Sequence, residues 1–177
     1  MFKGNGFDPV IIPPDVDEAI PAGIKPHNAV MFLALKKALY AENIALAQGY
    51  TSGETVVAAD TTVVCGGCMI GKPADKNDAS FILKTLRGRP HTVLTGVAML
   101  SPGTKKRRVF YDKSEVCFTQ YTDNDIEVYI NTSEPYDKAG GYAVQGAWGK
   151  YIGRVEGDLN NVIGFPLALF LKHLKDF

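Results

Sequence analysis

Thr55-Val56-Val57-Ala58-Ala59-Asp60-Thr61-Thr62-Val63-Val64 is the stretch on which the fold turns. Its β-branched residues and short apolar run predict a buried strand. Gly66-Gly67 directly after it is a hairpin signal, and Met69-Ile70 returns along the turn. Upstream, residues 27–47 are rich in Ala, Leu and Lys and predict a long helix, ended by the glycine-containing break at 49–53. Downstream, Asp75 is a natural N-cap with Asp78 three places on, and Ala79, Ile82, Leu83 and Leu86 share one apolar face. Gly88 stops that helix. Residues 91–100 and 108–120 alternate as paired strands around Ser101-Pro102-Gly103. Thr122 with Asp125 opens a third helix to about 131, a strand follows near 151–155, and Pro166 stands in the first turn of a final helix. Phe7-Asp8-Pro9-Val10-Ile11-Ile12-Pro13-Pro14 reads as a short strand leading into an extended acidic loop. Helices and strands mixed in this order predict an α/β fold: a mixed twisted sheet with parallel and antiparallel pairs, flanked by helices.

The 177 residues suffice for one domain with a substantial core, and 46% apolar against 21% charged is ordinary for a globular chain. Nineteen basic and nineteen acidic residues cancel. That argues against a protein that wraps nucleic acid, which carries a basic surplus for the phosphate backbone. A small anionic ligand needs only a local basic site. No apolar run is long enough to span a membrane, and Gly4-Asn5-Gly6 interrupts any signal-peptide pattern. Cys65, Cys68 and Cys117 are odd in number and sparse, so reduced thiols and a cytoplasmic location are expected.

Four polar strings remain unexplained by core-building: Asp15-Val16-Asp17-Glu18, Ala59-Asp60-Thr61-Thr62, Gly71-Lys72-Pro73, and Glu134-Pro135-Tyr136-Asp137-Lys138-Ala139-Gly140-Gly141-Tyr142. Together they hold carboxylates for a divalent cation and ammonium groups for phosphate oxygens, the equipment for breaking a phosphoanhydride. Each has a plainer reading. Asp60, ending the run Val56-Val57-Ala58-Ala59, either sits at a sheet mouth as a reactive group or caps a turn. Gly66 to Lys72 has the G-x-x-x-x-G-K spacing of a phosphate loop, but Pro73 replaces the hydroxyl residue that would follow and no helix opens there. Lys72 is left as a point charge for phosphate. Lys37 neighbours Leu33, Ala41 and Ile44 on its helix, so it either snorkels outward or meets a buried anion. Asp15, Asp17 and Glu18 are either solvated or complete an oxygen-rich Mg²⁺ site opposite Asp60. The core Asp137-Lys138-Ala139-Gly140-Gly141 is either a surface turn or a backbone shaped for close approach to a ligand, which the two glycines would permit. Cys65-Gly-Gly-Cys68 lacks the second pair that a zinc site needs.

In this order the strings resemble the Maf family of nucleoside triphosphate pyrophosphatases. The matching stretches are 12–18, Leu33-Ala34-Leu35-Lys36-Lys37-Ala38, Ala59-Asp60-Thr61, Gly71-Lys72-Pro73, 86–91 with Thr95-Gly96, 134–146, and Val162-Ile163-Gly164-Phe165-Pro166. Any one is weak, whereas the ordered set is specific. The resemblance implies a single domain over 1–177, similar in fold to the inosine triphosphate pyrophosphatases, with two lobes around a cleft. It implies cleavage between the α and β phosphates of a nucleoside triphosphate, with Mg²⁺ or Mn²⁺, as house-cleaning of nucleotide pools. By position, Asp60 would take the proton from water and, with Glu18, hold the metal. Lys37, Lys72, Asp137 and Lys138 would bind the phosphates. Thr61 and Gln145 match the branch that acts on dTTP and UTP. An amide both donates to and accepts from a pyrimidine edge, whereas a carboxylate only accepts. A homodimer is also expected.

The family opens with a strand and an ASxSPRR loop, and Met1-Phe2-Lys3-Gly4-Asn5-Gly6 corresponds to the end of its first helix. That strand and arginine loop are therefore expected to be missing, which would weaken phosphate binding. The rival expectation is a catalytically impaired nucleotide-binding or regulatory protein linked to septum formation.

Overall fold

The computed structural model describes residues 2–177. A first helix, α1 (Pro26–Ala47), begins with a proline at its first turn, where no amide hydrogen is needed. Strand β1 (Val56–Cys65) and strand β2 (Cys68–Ile70) form the hairpin, antiparallel, with Val63 opposite Ile70 and Cys65 opposite Cys68. Gly66 and Gly67 both have positive φ, 59° and 82°, as a two-residue turn of this hand requires. Helix α2 (Lys76–Leu86) is capped by the Asp75 carboxylate, which accepts from the Asp78 amide. Strands β3 (His91–Leu100) and β4 (Arg107–Phe118) follow. Helix α3 (Asp123–Ile130) opens on a capping box between Thr122 and Asp125. Strand β5 (Ile152–Glu156) pairs antiparallel with β4, and helices α4 (Leu159–Ile163) and α5 (Leu167–Leu174) close the chain. The five strands lie in the order β2-β1-β3-β4-β5, so the α/β architecture read from the sequence is formed, but around an antiparallel sheet and not one that mixes parallel and antiparallel pairs.

Three expectations need correction. Residues 7–14 form no strand: Pro9, Pro13 and Pro14 remove three ladder donors, and Val10 and Ile11 stand 62% and 77% exposed. Asp60 does not end its strand but lies in mid-β1, because Thr61 to Val64 are β-branched and carry the extended backbone onward to Cys65. The final helix starts just after Pro166 and is preceded by a short helix, α4, that was not expected. Gly164, at φ 116°, stops α4, and Pro166 precedes α5 instead of standing inside it.

Two compact units emerge from the contacts. The first comprises the chain up to Asp60 with Gly96–Tyr111 and Leu167–Phe177, and the second comprises Thr61–Thr95 with Asp112–Pro166. In the first, α1 buries a face of small residues, including Ala34 and Ala38, against Ala98 and Leu100. The approach reaches backbone contact. A Cβ on Gly96 would lie 2.4 Å from the Val30 carbonyl carbon, so only glycine fits there. Glu42, on the same helix, is buried and receives two hydrogen bonds from Arg107 at 2.8 Å each.

The second unit has the larger apolar core, built on Leu83, Leu86, Val93, Val116 and Ile126. Trp148 is fully buried and packs its ring against Tyr121, Tyr129 and Tyr151. His91 is buried with its Nε2 2.7 Å from the Tyr142 hydroxyl. No described helix is long and apolar enough to cross a membrane.

Candidate active site

Lys37 meets an anion. Its side chain is 14% exposed, and its Nζ lies 2.6 Å from Asp60 Oδ1 and 2.7 Å from Glu18 Oε1, so one ammonium bridges two carboxylates. Helix α1 supplies the lysine, mid-β1 the aspartate, and the segment before α1 the glutamate, all within the first unit. Burial pulls the Lys37 ammonium down, but the hydrogen bonds it donates to Asp60 and Glu18, together with their charges, outweigh it and hold the group above the ordinary lysine value. The same lysine lines an apolar cavity of about 640 Å³, walled by Val56 to Ala59 of β1 and by Phe170. Charges beside such a wall act on each other more strongly than in open water.

Of the acidic loop, only Glu18 pairs with Lys37. The Asp17 carboxylate accepts from the Ala19 amide at 2.9 Å and faces Lys36 at 3.7 Å, and the Lys36 ammonium also bonds the Asp17 carbonyl oxygen. Adjacent lysines thus address adjacent loop residues, because they leave α1 about 100° apart. Among the described residues, no group of three or more His, Cys, Asp or Glu side chains is placed to hold a metal ion. The donors that converge are two carboxylates. That set suits a hard cation which takes few protein carboxylates and completes its shell from water and phosphate oxygens.

The remaining candidates lie in the second unit. Lys138 Nζ is 2.5 Å from Asp137 Oδ2, and that hydrogen bond, ahead of the Lys138 and Lys72 charges, holds the Asp137 carboxyl below its usual range. The segment carrying them docks on the Gly71-Lys72-Pro73 turn, with the Gly140 amide donating to the Gly71 carbonyl at 2.9 Å. The glycines are packed inside the unit. Gly140 and Gly141 are buried, and a Cβ on either would meet Val63 at 2.7 Å or Pro73 at 3.0 Å. Their freedom serves close approach to this chain's own strand and turn.

Gln145 stands on a loop braced by Glu134. The Glu134 carboxylate accepts from the Tyr129 hydroxyl at 3.0 Å and from the Ala147 amide at 3.0 Å. It also fills the space beside Gly146, where a Cβ would fall 1.9 Å from Oε1. Thr61 Oγ1 lies 2.9 Å from Thr95 Oγ1, which in turn donates to the Asn161 carbonyl at 3.0 Å. Sequence reasoning gave neither Glu134 nor Asn161 a role and quoted Thr95 only within a motif. A capping-type Asn before an apolar run and a Thr in an alternating strand carry no mark of what they will touch.

The family model described as Maf-like protein matches residues 1–177, and this chain belongs to that family. Among its relatives, a protein of Pelotomaculum thermopropionicum named dTTP/UTP pyrophosphatase is 41% identical over 177 residues, 100% of this chain and 90% of its own. One of Caldanaerobacter subterraneus with the same name is 41% identical, across 99% of this chain and 82% of its own. A third, of Carboxydothermus hydrogenoformans and again so named, is 37% identical across 94% and 86%.

Proposed function

We propose that this chain hydrolyses dTTP, UTP or modified pyrimidine nucleotides to the monophosphate and pyrophosphate, as house-cleaning of a cytoplasmic nucleotide pool. The observation that carries the reading is the Glu18–Lys37–Asp60 cluster, two carboxylates on one buried ammonium, in a chain whose relatives carry that name. In the resting cluster, Lys37 occupies Asp60 Oδ1. Triphosphate oxygens compete for that ammonium, and Lys37 passing to them takes one positive donor from the Asp60 carboxylate, which then accepts a proton from water. The water oxygen then bonds the α phosphorus, the bond from that phosphorus to the bridging oxygen breaks, and pyrophosphate departs with the electron pair. Lys37, and on the second unit Lys72 and Lys138, are assigned to offset phosphate charge, which is worth most where water is excluded. Asp137 orients Lys138 through their hydrogen bond. Glu18 and Asp60 would hold Mg²⁺ or Mn²⁺, which lowers the charge that builds on the leaving group. The Gln145 amide donates to a pyrimidine carbonyl oxygen.

The test is turnover of UTP and dTTP with Mg²⁺ in ¹⁸O-labelled water. Pyrophosphate release with the label in the monophosphate is the expected result. Orthophosphate as first product, label in pyrophosphate, or no turnover of any nucleotide would overturn the reading.

A further inference from the structure

Proton bookkeeping fixes the hydrogen-bonding character of Thr61. The Asn161 carbonyl oxygen can only accept, so Thr95 donates its one hydroxyl proton there. Toward Thr61 it then has only lone pairs, and both contacts of Thr95 are hydrogen bonds when Thr61 donates across the 2.9 Å between the hydroxyls. Thr95 and Asn161 are both fully buried, so no solvent molecule reorients them. Asn161 is itself locked: its Nδ2 donates to the Val93 carbonyl at 3.1 Å and to Ser114 Oγ at 3.0 Å. Ser114 has given its own proton to the Asp158 carbonyl at 2.9 Å, which settles the direction of that bond too. The side-chain protons of Asn161, Ser114, Thr95 and Thr61 thus each have a place. Thr61, half-buried, has its proton turned inward and presents lone pairs alone. Gly164 keeps this hydroxyl uncrowded, since even a Cβ there would stop 3.6 Å from Oγ1.

We propose that Thr95 is a positioning residue that makes Thr61 an obligate hydrogen-bond acceptor, and that Thr61 reads the N3–H donor of a keto pyrimidine. The inference rests on the pyrimidine-nucleotide reading above and deepens it. Uracil and thymine carry a proton on N3; cytosine has only a lone pair there, which would face the lone pairs of Thr61. A hydroxyl free to rotate would accommodate both bases. One held by Thr95 does not. Gln145 is left to serve a flanking carbonyl, so the two side chains divide the edge between them.

The experiment compares UTP, CTP and 3-methyl-UTP as substrates, and UMP, CMP and 3-methyl-UMP as calorimetric ligands. Wild type is expected to prefer UTP over CTP and over 3-methyl-UTP by at least tenfold in kcat/KM. Thr95→Val, which frees the Thr61 proton, should bring the UTP-to-CTP ratio at least tenfold closer to one, and Thr95→Ser should keep it. Loss of packing alone would lower both substrates together and leave the ratio unmoved. Wild type handling 3-methyl-UTP as well as UTP overturns the proposal without any variant, as does an unchanged ratio in folded Thr95→Val. If no nucleotide is turned over, the enzyme reading fails by itself. The monophosphates then decide this one: tighter UMP than CMP and 3-methyl-UMP sustains it, and equal affinities overturn it.

Discussion

Lys37 Nζ lies 2.6 Å from Asp60 Oδ1, an ion pair in which neither side chain is more than 14% exposed. Removing one partner of such a pair leaves the other charge in a poorly solvated place. Lys37→Met is therefore expected to lower unfolding free energy by roughly 2–3 kcal/mol, less than for a wholly buried pair because Glu18 is half-exposed. Asp60→Asn keeps the shape and is expected to abolish turnover with the fold retained. Denaturant unfolding and pyrophosphate release on both variants check this, and near-normal turnover by Asp60→Asn would remove it as the base.

Gln145→Glu exchanges an amide that donates for a carboxylate that only accepts. Glu134 braces the loop through Tyr129 and Ala147, so the new side chain should be held in place with like-for-like geometry. Pyrimidine turnover should fall at least tenfold, mainly through KM. Unchanged selectivity would discard the assignment of residue 145 to the base.

Gly96→Ala puts a methyl group 2.4 Å from the Val30 backbone, which is part of α1 and has no side-chain freedom with which to yield. Helix and strand must separate along the face that α1 buries. A loss of about 3 kcal/mol or more is expected, of the order seen for forced overpacking at its upper end. Thermal unfolding measures it, and a midpoint within a degree or two of wild type would contradict the backbone contact.

Burial pushes the His91 imidazole down to about 4, so the folded state keeps it neutral where the unfolded chain would protonate it. Between pH 6.5 and 4 the unfolded state binds the extra proton. The stability this represents is complete above pH 6.5 and declines as pH falls, by roughly 3 kcal/mol in all. In His91→Gln that part of the acid sensitivity should vanish. Urea unfolding of both proteins from pH 7 to 4.5 tests it, with parallel curves as the contrary result.

Much of the fold was legible because its signals are local. The Asp75 and Thr122 caps, the Gly66-Gly67 turn and the β-branched run of β1 each depend on near neighbours, and each formed as read. The misreadings were local signals overridden. Apolar residues at 10–12 suggested a strand, but flanking prolines left no ladder to join. Residue types and order singled out Asp60, Lys37 and the acidic loop as candidates, and that Glu18 and not Asp17 pairs with Lys37 needed coordinates.

By its sequence alone this chain declared its family, its elements and the side chains fit for phosphate chemistry, since those follow from residue type and short-range spacing. Only the tertiary structure decided that Gly140 and Gly141 yield to Val63 and Pro73, that Glu134 props the Gln145 loop, and that the Thr61 hydroxyl stands against that of Thr95. The physical reason is range. Hydrogen-bond direction and close packing are settled by atoms tens of residues away along the chain, and nothing in a residue's neighbours foretells which distant group will stand opposite it.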